Sequence, residues 1–314
     1  MARNSRPGVD RAIASAGAAT RDGQPISYSR APAADLAPWI GRLYVTIVDA
    51  PADYQLTCGL FNDTAMLRVQ LRGSWSAETA DGLRQMDRAA LFFGPNTRRM
   101  PITVTGSFTS AGLSLRPGAC NALGVPSLHT LRDRLAPLET IGLGSLGWMN
   151  LLAEGASPEE WCEGMEAELR RMIGERCAAE PDPVSTHVEA AAFTNPEITV
   201  AALAALCGAE QRRLERIVRR DFGIPPKQVM RRARALDMAS HLRGVADQAE
   251  AEHLALRYYD QSHLIREFTA LFGMSPRQFV EAPQPLMTLS LETRQTRRLE
   301  TIARLAPGGI KPWQ

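Results

Sequence analysis

The chain has 314 residues, 45% of them hydrophobic and 22% charged, with a formal net charge of only +2, so any local concentration of charge is informative. No run of about 18 apolar residues occurs, which argues against a membrane-spanning helix. The five cysteines, Cys58, Cys120, Cys162, Cys177 and Cys207, are odd in number and show no CxxC spacing, as expected of reduced thiols in a cytoplasmic protein rather than a disulfide framework or a zinc site.

Residues 1–30 are rich in Ala, Arg, Gly and Ser and poor in large apolar groups, so disorder is expected there, and no apolar core of signal-peptide length is present. From 40 to 120 the pattern is that of strands. Leu67, Val69 and Leu71 alternate with Arg68, Gln70 and Arg72, and Leu43–Val48 is β-branched and aromatic. Residues 89–94, 102–105 and 113–115 continue the series, so residues 31–156 are expected to form a β-rich sandwich or barrel. As an enzyme this region is poorly equipped. It offers His129 alone where a metal-dependent barrel needs several histidines, and it has neither a nucleophile elbow nor a phosphate-cradling glycine loop. Cys120 beside Arg116 has the choice between a low-pKa thiol and a small buried side chain, and the second is favoured. No cofactor and no metal are expected.

Ser157-Pro158-Glu159-Glu160 is a capping box with proline at the first helical position, and Trp161, Met165, Leu169 and Met172 then recur along one face. The predicted helix, about 157–176, either packs on the β-region or supplies a dimer contact. Pro181 and Pro183 mark a linker, giving a helix-and-linker segment over 157–194.

The carboxy-terminal half contains an internal repeat. Phe222-Gly223-Ile224-Pro225-Pro226-Lys227-Gln228-Val229 returns 50 residues later as Phe272-Gly273-Met274-Ser275-Pro276-Arg277-Gln278-Phe279, and Leu214 and Arg216 return as Leu264 and Arg266. In the first copy a short helix from Val200, capped by Thr199, stops at Gly208. A second helix follows with Leu214, Ile217 and Val218 on one face and Arg212, Arg216 and Arg219 on the other. That order is a helix-turn-helix. In the second copy Leu264, Phe268 and Leu271 form the buried stripe, Asp260 is placed to cap the helix, and Ser275-Pro276 starts the next. Residues 226–243 form one connecting helix. From 209 to 243 there are ten Lys/Arg against four Asp/Glu, the footprint of a polyanion-binding face. Arginine-rich helix faces are commonly just solvated, but two equivalent faces on a rigid connector suit major grooves about 34 Å apart.

At these residues the chain resembles the AraC/XylS family of bacterial transcription regulators. The match is carried by Tyr258-Tyr259-Asp260-Gln261-Ser262-His263-Leu264-Ile265-Arg266-Glu267-Phe268 and by the Phe272–Phe279 segment, within a domain of about 195–281. The resemblance implies an all-α double helix-turn-helix domain. It assigns base contacts to Arg212, Glu215 and Arg216 in the first unit and to Gln261, Ser262, Ile265 and Arg266 in the second; Arg219, Arg220 and Lys227 suit phosphates. His263 matches the signature and reads as structural. Two positions depart from the family pattern: Glu210 replaces the usual small polar residue at the start of the first reading helix, and Arg257 replaces a glycine before the aromatic pair, leaving open whether the second unit reads DNA. Leu36-Ala37-Pro38-Trp39-Ile40, Phe93–Arg98 and Leu115–Gly118 resemble the cupin-like amino-terminal domain of some of these regulators.

The expected protein is therefore a multidomain α and β chain, cupin-like in its β-rich amino-terminal part and all-α in its carboxy-terminal part. It is a cytoplasmic DNA-binding regulator and not an enzyme, with an effector-sensing or dimerising domain. Its partners would be double-stranded promoter or operator DNA and a small-molecule effector, with RNA polymerase and a homodimer mate as further candidates and no membrane contact. The competing reading is a cupin-like enzyme or small-molecule-binding protein whose helical half is a protein-interaction module. The tail, 282–314, carries one short helix from Leu291 to Leu305 and no assigned role.

Overall fold

The computed structural model describes residues 14–15, 28–144, 146–151, 156–246 and 261–305. Nine strands, β1 (Ala14–Ser15), β2 (Tyr28–Arg30), β3 (Ile40–Asp49), β4 (Gln55–Leu60), β5 (Met66–Thr79), β6 (Gly82–Met86), β7 (Ala89–Phe93), β8 (Met100–Leu115) and β9 (Leu135–Pro137), make one antiparallel sheet. Its main path runs β1-β3-β8-β5-β7-β9; β2 flanks β3, β4 flanks β8 and β6 flanks β5. Two short stretches of the segment expected to be disordered are strands: Ala14–Ser15 and Tyr28–Arg30 both pair with β3. The two pieces expected at 102–105 and 113–115 are one strand of 16 residues, β8, which passes through Gly106 at φ +71°.

The pleat sends alternate side chains to opposite faces, and both faces are buried. Leu43, Val45, Leu67, Val69, Phe92 and Leu113 enter one core. Over it lies α3 (Pro158–Glu175), started by the predicted capping box and burying Trp161, Met165, Leu169 and Met172. This settles that face of the helix as packing on the sheet. On the opposite face Tyr44, Met66, Leu91, Phe93, Met100, Ile102 and Val104 form a second core, shared with the carboxy-terminal helices. Polar residues of the strand alternation are covered as well: Arg68 is 8% exposed and Gln70 1%.

After the short α1 (Ala119–Ala122) and α2 (Leu146–Asn150), the helical half begins with α4 (Pro183–Thr194), capped by Asp182. Val184, Val188 and Ala192 of α4 pack with α5 (Val200–Leu206), α6 (Gln211–Phe222) and α7 (Pro226–Leu242) in a third core. The core of this half thus starts eleven residues before the boundary expected at 195. Then come α8 (Gln261–Phe272), α9 (Pro276–Glu281) and α10 (Pro285–Leu305).

The last helix is the largest departure from the sequence reading. It spans 21 residues, not the 15 of Leu291–Leu305, and it threads between the sheet and the helical half. Leu286, Met287, Leu289 and Leu291 enter the sheet's second core, and Arg294, Arg297 and Arg298 are each at most 4% exposed. Arg297 bridges Asp63 at 3.1 Å and Glu189 at 2.6 Å, Arg294 meets Asp237 at 2.6 Å, and Arg298 donates to the Phe193 carbonyl at 2.8 Å. Buried guanidinium groups are tolerable only with such carboxylate and carbonyl partners, so these pairs fix where α10 lies.

Candidate nucleic-acid interface

The first module folds as its sequence dictates. Thr199 accepts a hydrogen bond from the Ala202 N–H, α5 runs to Leu206, and Gly208 at φ +57° turns the chain into α6. Glu210 occupies the N-cap position of α6 without a side-chain cap bond, in keeping with its poor capping chemistry. Leu214, Ile217, Val218 and Phe222 are buried, and Gly223 at φ +75° ends the helix. The outer face carries Arg212, Arg213, Arg216 and Arg219, all exposed. Among the described residues no protein group pairs with Arg212 or Arg216. Glu215 accepts from Gln211 Nε2 at 3.0 Å and is half-buried.

The second module repeats the arrangement. Leu264 and Phe268 are buried, while Ile265, Arg266 and Thr269 are exposed at the positions equivalent to Glu215, Arg216 and Arg219. Ile265 is 44% exposed, unusual for so large an apolar side chain at a helix surface. Ser275 makes a complete capping box with Gln278 to start α9. Gln261 and Ser262 lie in the first turn of α8, but their side chains and that of His263 lie outside the described residues, as do Arg257, Tyr258, Tyr259 and Asp260.

The basic concentration over 209–243 divides into two groups of different purpose. Arg232 is 3% exposed and donates to the carbonyls of Asn96 and Asp63, and Arg243 is 2% exposed and bonded to Thr288 at 3.0 Å. Arg231 and Arg234 pair with Glu267, holding α7 to α8. Arg220, expected to meet phosphate, closes on Asp221 at 2.6 Å; Asp221 is itself buried and accepts from Ser185. Arg212, Arg213, Arg216, Arg219 and Lys227 remain exposed on the surface. Only half of the ten basic residues counted along 209–243 therefore lie on the exposed face.

Helices α6 and α8 sit differently on the β-region. Near α6 the contact is limited to its carboxy-terminal end, where the Leu128 N–H donates to the Arg220 carbonyl at 3.1 Å and His129 Nδ1 lies 3.3 Å from the Gly223 carbonyl. The apolar stripe of α8, by contrast, is part of the sheet's own core: Phe272 stacks on Phe268 at 4.1 Å and meets Phe61 edge to face at 5.1 Å.

Beneath α7 and α10 the second face of the sheet borders a partly open cavity of ≈ 60 Å³, lined among others by Tyr44, Leu60, Met66, Arg68, Trp75 and Leu289. Sequence reading missed it because Arg68 looked like the solvated side of a strand; the helix that covers it is more than 200 residues further along the chain. Three of the thiols are buried: Cys58, Cys120 and Cys162. Burial pushes Cys58 and Cys120 up and Cys162 up to about 12, so none of these three is a thiolate at neutral pH. Among the described residues there is no group of three or more His, Cys, Asp and Glu that could hold a metal ion, and no helix long and apolar enough to cross a membrane.

Residues 203–282 match the helix-turn-helix domain family. No curated protein matches the chain. Among solved structures it is similar to ToxT from Vibrio cholerae strain SCE256 with bound unsaturated fatty acid, at 10% identity and a TM-score of 0.44 over 76% of this chain and 94% of that one. A second Vibrio cholerae ToxT structure gives 7% identity and a TM-score of 0.45 over 76% and 97%. The AraC-like transcriptional activator CuxR gives 12% and 0.28 over 67% and 85%. Two helix-turn-helix units, the long connecting helix and the family match over 203–282 agree: the chain carries an AraC-type helix-turn-helix domain.

Proposed function

We propose that the chain is a sequence-specific transcription regulator that lays α6 and α8 in successive major grooves of one half-site and whose β-region senses a small molecule. The observation that carries the first part is the exposed, unpaired state of Arg212 and Arg216 one turn apart on α6, with Ile265 and Arg266 at the repeat-equivalent face of α8. An exposed arginine fork is suited to the O6 and N7 edge of guanine, Glu215 to a cytosine amino group, and Ile265 to a thymine methyl. Gln261 and Ser262 complete the second set. Arg219 and Lys227 serve phosphate contacts, whereas Arg220 is committed to Asp221.

The second part is supported by the cavity under α10, because its wall is built by both halves of the chain. A molecule bound there would touch the sheet, α7 and α10 together, and so bias how the second module is held. No reaction is part of this proposal.

The test is equilibrium binding of the full chain to duplex DNA over a salt series. The logarithm of the binding constant should fall linearly with the logarithm of salt, and Lys227→Ala should reduce the slope by about 1. Binding that is absent, or flat with salt, contradicts the proposal.

A further inference from the structure

We infer that the turn 95–99 of the β-region is a brace that fixes the separation of α6 and α8, and that Asp133, which holds this turn, is a positioning residue for the spacing between the two parts of a bound DNA sequence. The inference rests on the proposed reading of DNA by both helices.

Within five residues the turn touches α6, α7 and α8. Pro95 packs on the glycine that ends α6: a Cβ added at Gly223 would lie 3.1 Å from the Pro95 Cγ. The Asn96 carbonyl accepts from Arg232 of α7 at 2.9 Å, and the Arg99 N–H donates to the Leu271 carbonyl of α8 at 2.7 Å. The neighbouring segment 128–134 adds a second hold on α6, through the Leu128 N–H to the Arg220 carbonyl at 3.1 Å and through Arg132 against Gly223. Carbonyls in the last turn of a helix have no partner within it. Both α6 and α8 therefore give such a carbonyl to a backbone N–H of the β-region.

Asp133 joins the two segments. It stands at φ +54°, a left-handed conformation that aspartate and asparagine tolerate better than other residues with a side chain. Its carboxylate accepts from the Thr97 N–H at 2.7 Å and from the Thr97 hydroxyl, its N–H donates to the Pro95 carbonyl at 3.2 Å, and its carbonyl accepts from the Ala80 N–H at 2.8 Å. The segments approach so closely that a Cβ at Gly94 would lie 1.8 Å from the Leu131 carbonyl oxygen. Such a backbone conformation persists where its surroundings hold it, and here four hydrogen bonds do so.

The link through α7 is less directed. Ala235 and Leu236 of α7 share the second core with Phe268 of α8, and apolar packing has no preferred direction. The ion pairs of Arg231 and Arg234 with Glu267 are directed, but Arg231 is 40% exposed, where such pairs contribute little. One base pair inserted between two sites on DNA shifts the second by about 3.4 Å and turns it by about 35°. Short backbone bonds at the ends of both helices resist a displacement of that size.

Selection from a random duplex library by wild type, Asp133→Gly and Asp133→Asn tests the brace, read as the distribution of spacings between the two parts of the recovered motif. Glycine keeps the left-handed backbone and loses the carboxylate; asparagine tolerates that backbone and keeps an acceptor for the Thr97 N–H. Wild type and Asp133→Asn are expected to return one spacing, and to bind duplexes one base pair longer or shorter at least about tenfold more weakly. Asp133→Gly is expected to return two or more spacings, with that ratio reduced to about threefold or less. A general loss of stability lowers binding at every spacing and leaves the ratio unchanged. Thr97→Val, which removes the hydroxyl donor, should also reduce the ratio, and serves if Asp133→Gly does not fold. A ratio unchanged in either folded variant, or a wild type without a preferred spacing, overturns the brace and leaves the two-part reading standing. A wild type that recovers no two-part motif overturns both.

Discussion

The backbone N–H of Arg99, in the turn leading into β8, donates to the carbonyl oxygen of Leu271, in the last turn of α8, at 2.7 Å. Beside it the rings of Phe61 and Phe272 meet edge to face. The second module is thereby built onto the sheet, whereas the first has a core closed within α4, α5, α6 and α7. Two units that are near copies in sequence differ in what holds them, and the difference lies in which surface receives the same apolar stripe.

The repeat-equivalent phenylalanines should therefore fail differently. Phe222→Ala and Phe272→Ala each remove a buried ring and should each cost about 3–5 kcal/mol. Hydrogen exchange should show the loss of protection confined to the helices of the first module in Phe222→Ala and extending into β4 and the start of β8 in Phe272→Ala. Equal patterns in both would mean that the second module does not share the sheet's core.

The two helix-ending glycines provide a second contrast. Both have positive φ, +75° at Gly223 and +70° at Gly273, and alanine pays roughly 1–2 kcal/mol for that conformation. A Cβ at Gly223 would also lie 2.9 Å from the Leu128 carbonyl oxygen, while one at Gly273 would meet nothing within 4 Å. Gly223→Ala should lower the melting temperature more than Gly273→Ala, and a reversed order would contradict the docking of α6 against the 128–132 segment.

Arg297 ties α10 to both halves through Asp63 and Glu189. Arg297→Ala takes one of two arginine partners from each of Asp63, which keeps Arg294, and Glu189, which keeps Arg116, and should cost about 3 kcal/mol in urea denaturation. Arg277→Ala, which removes a solvent-exposed pair with Glu281, should leave stability unchanged within error.

Acid acts on the same junction. Burial alone would raise the Asp63 carboxyl, but Arg297, Arg294 and Arg232 around it outweigh burial and hold it below the usual carboxylate range. A depressed folded value means that Asp63 contributes fully above its unfolded pKa of about 3.9 and that the contribution is lost as pH falls through the folded value. Asp63→Asn should thus be less stable than wild type at pH 7, with the gap narrowing below about pH 4. A gap independent of pH would show that the charge of Asp63 does not hold α10.

Local chemistry was legible in the sequence, and distant packing was not. The caps at Ser157, Thr199 and Ser275, and the glycines that end α5, α6 and α8, each depend on a few neighbouring residues and stand where they were expected. Strand β8 was divided in two because Gly106 imitates a turn, though its N–H bonds to the Tyr54 carbonyl and the strand continues. The start of α10, residues 285–290, went unnoticed because Leu286, Met287 and Leu289 are placed only by the sheet's second core, and the burial of Arg294, Arg297 and Arg298 because their carboxylate partners Asp63, Glu189 and Asp237 lie far away in the chain. For the same reason Arg232 and Arg243 counted as surface charge. The exposed faces of α6 and α8 were legible because their opposite faces are apolar at helical spacing, but the cavity at Arg68 depends on which helix covers the sheet.

The most direct test is selection of bound sequences from a random duplex library by wild type, Arg216→Ala and Arg266→Ala at one salt concentration. Two reading helices predict a bipartite motif in which Arg216→Ala blurs one part and Arg266→Ala the other, each at about 1–3 kcal/mol for the base concerned. Salt-sensitive binding with no enriched motif, or a motif that neither substitution alters, would contradict it.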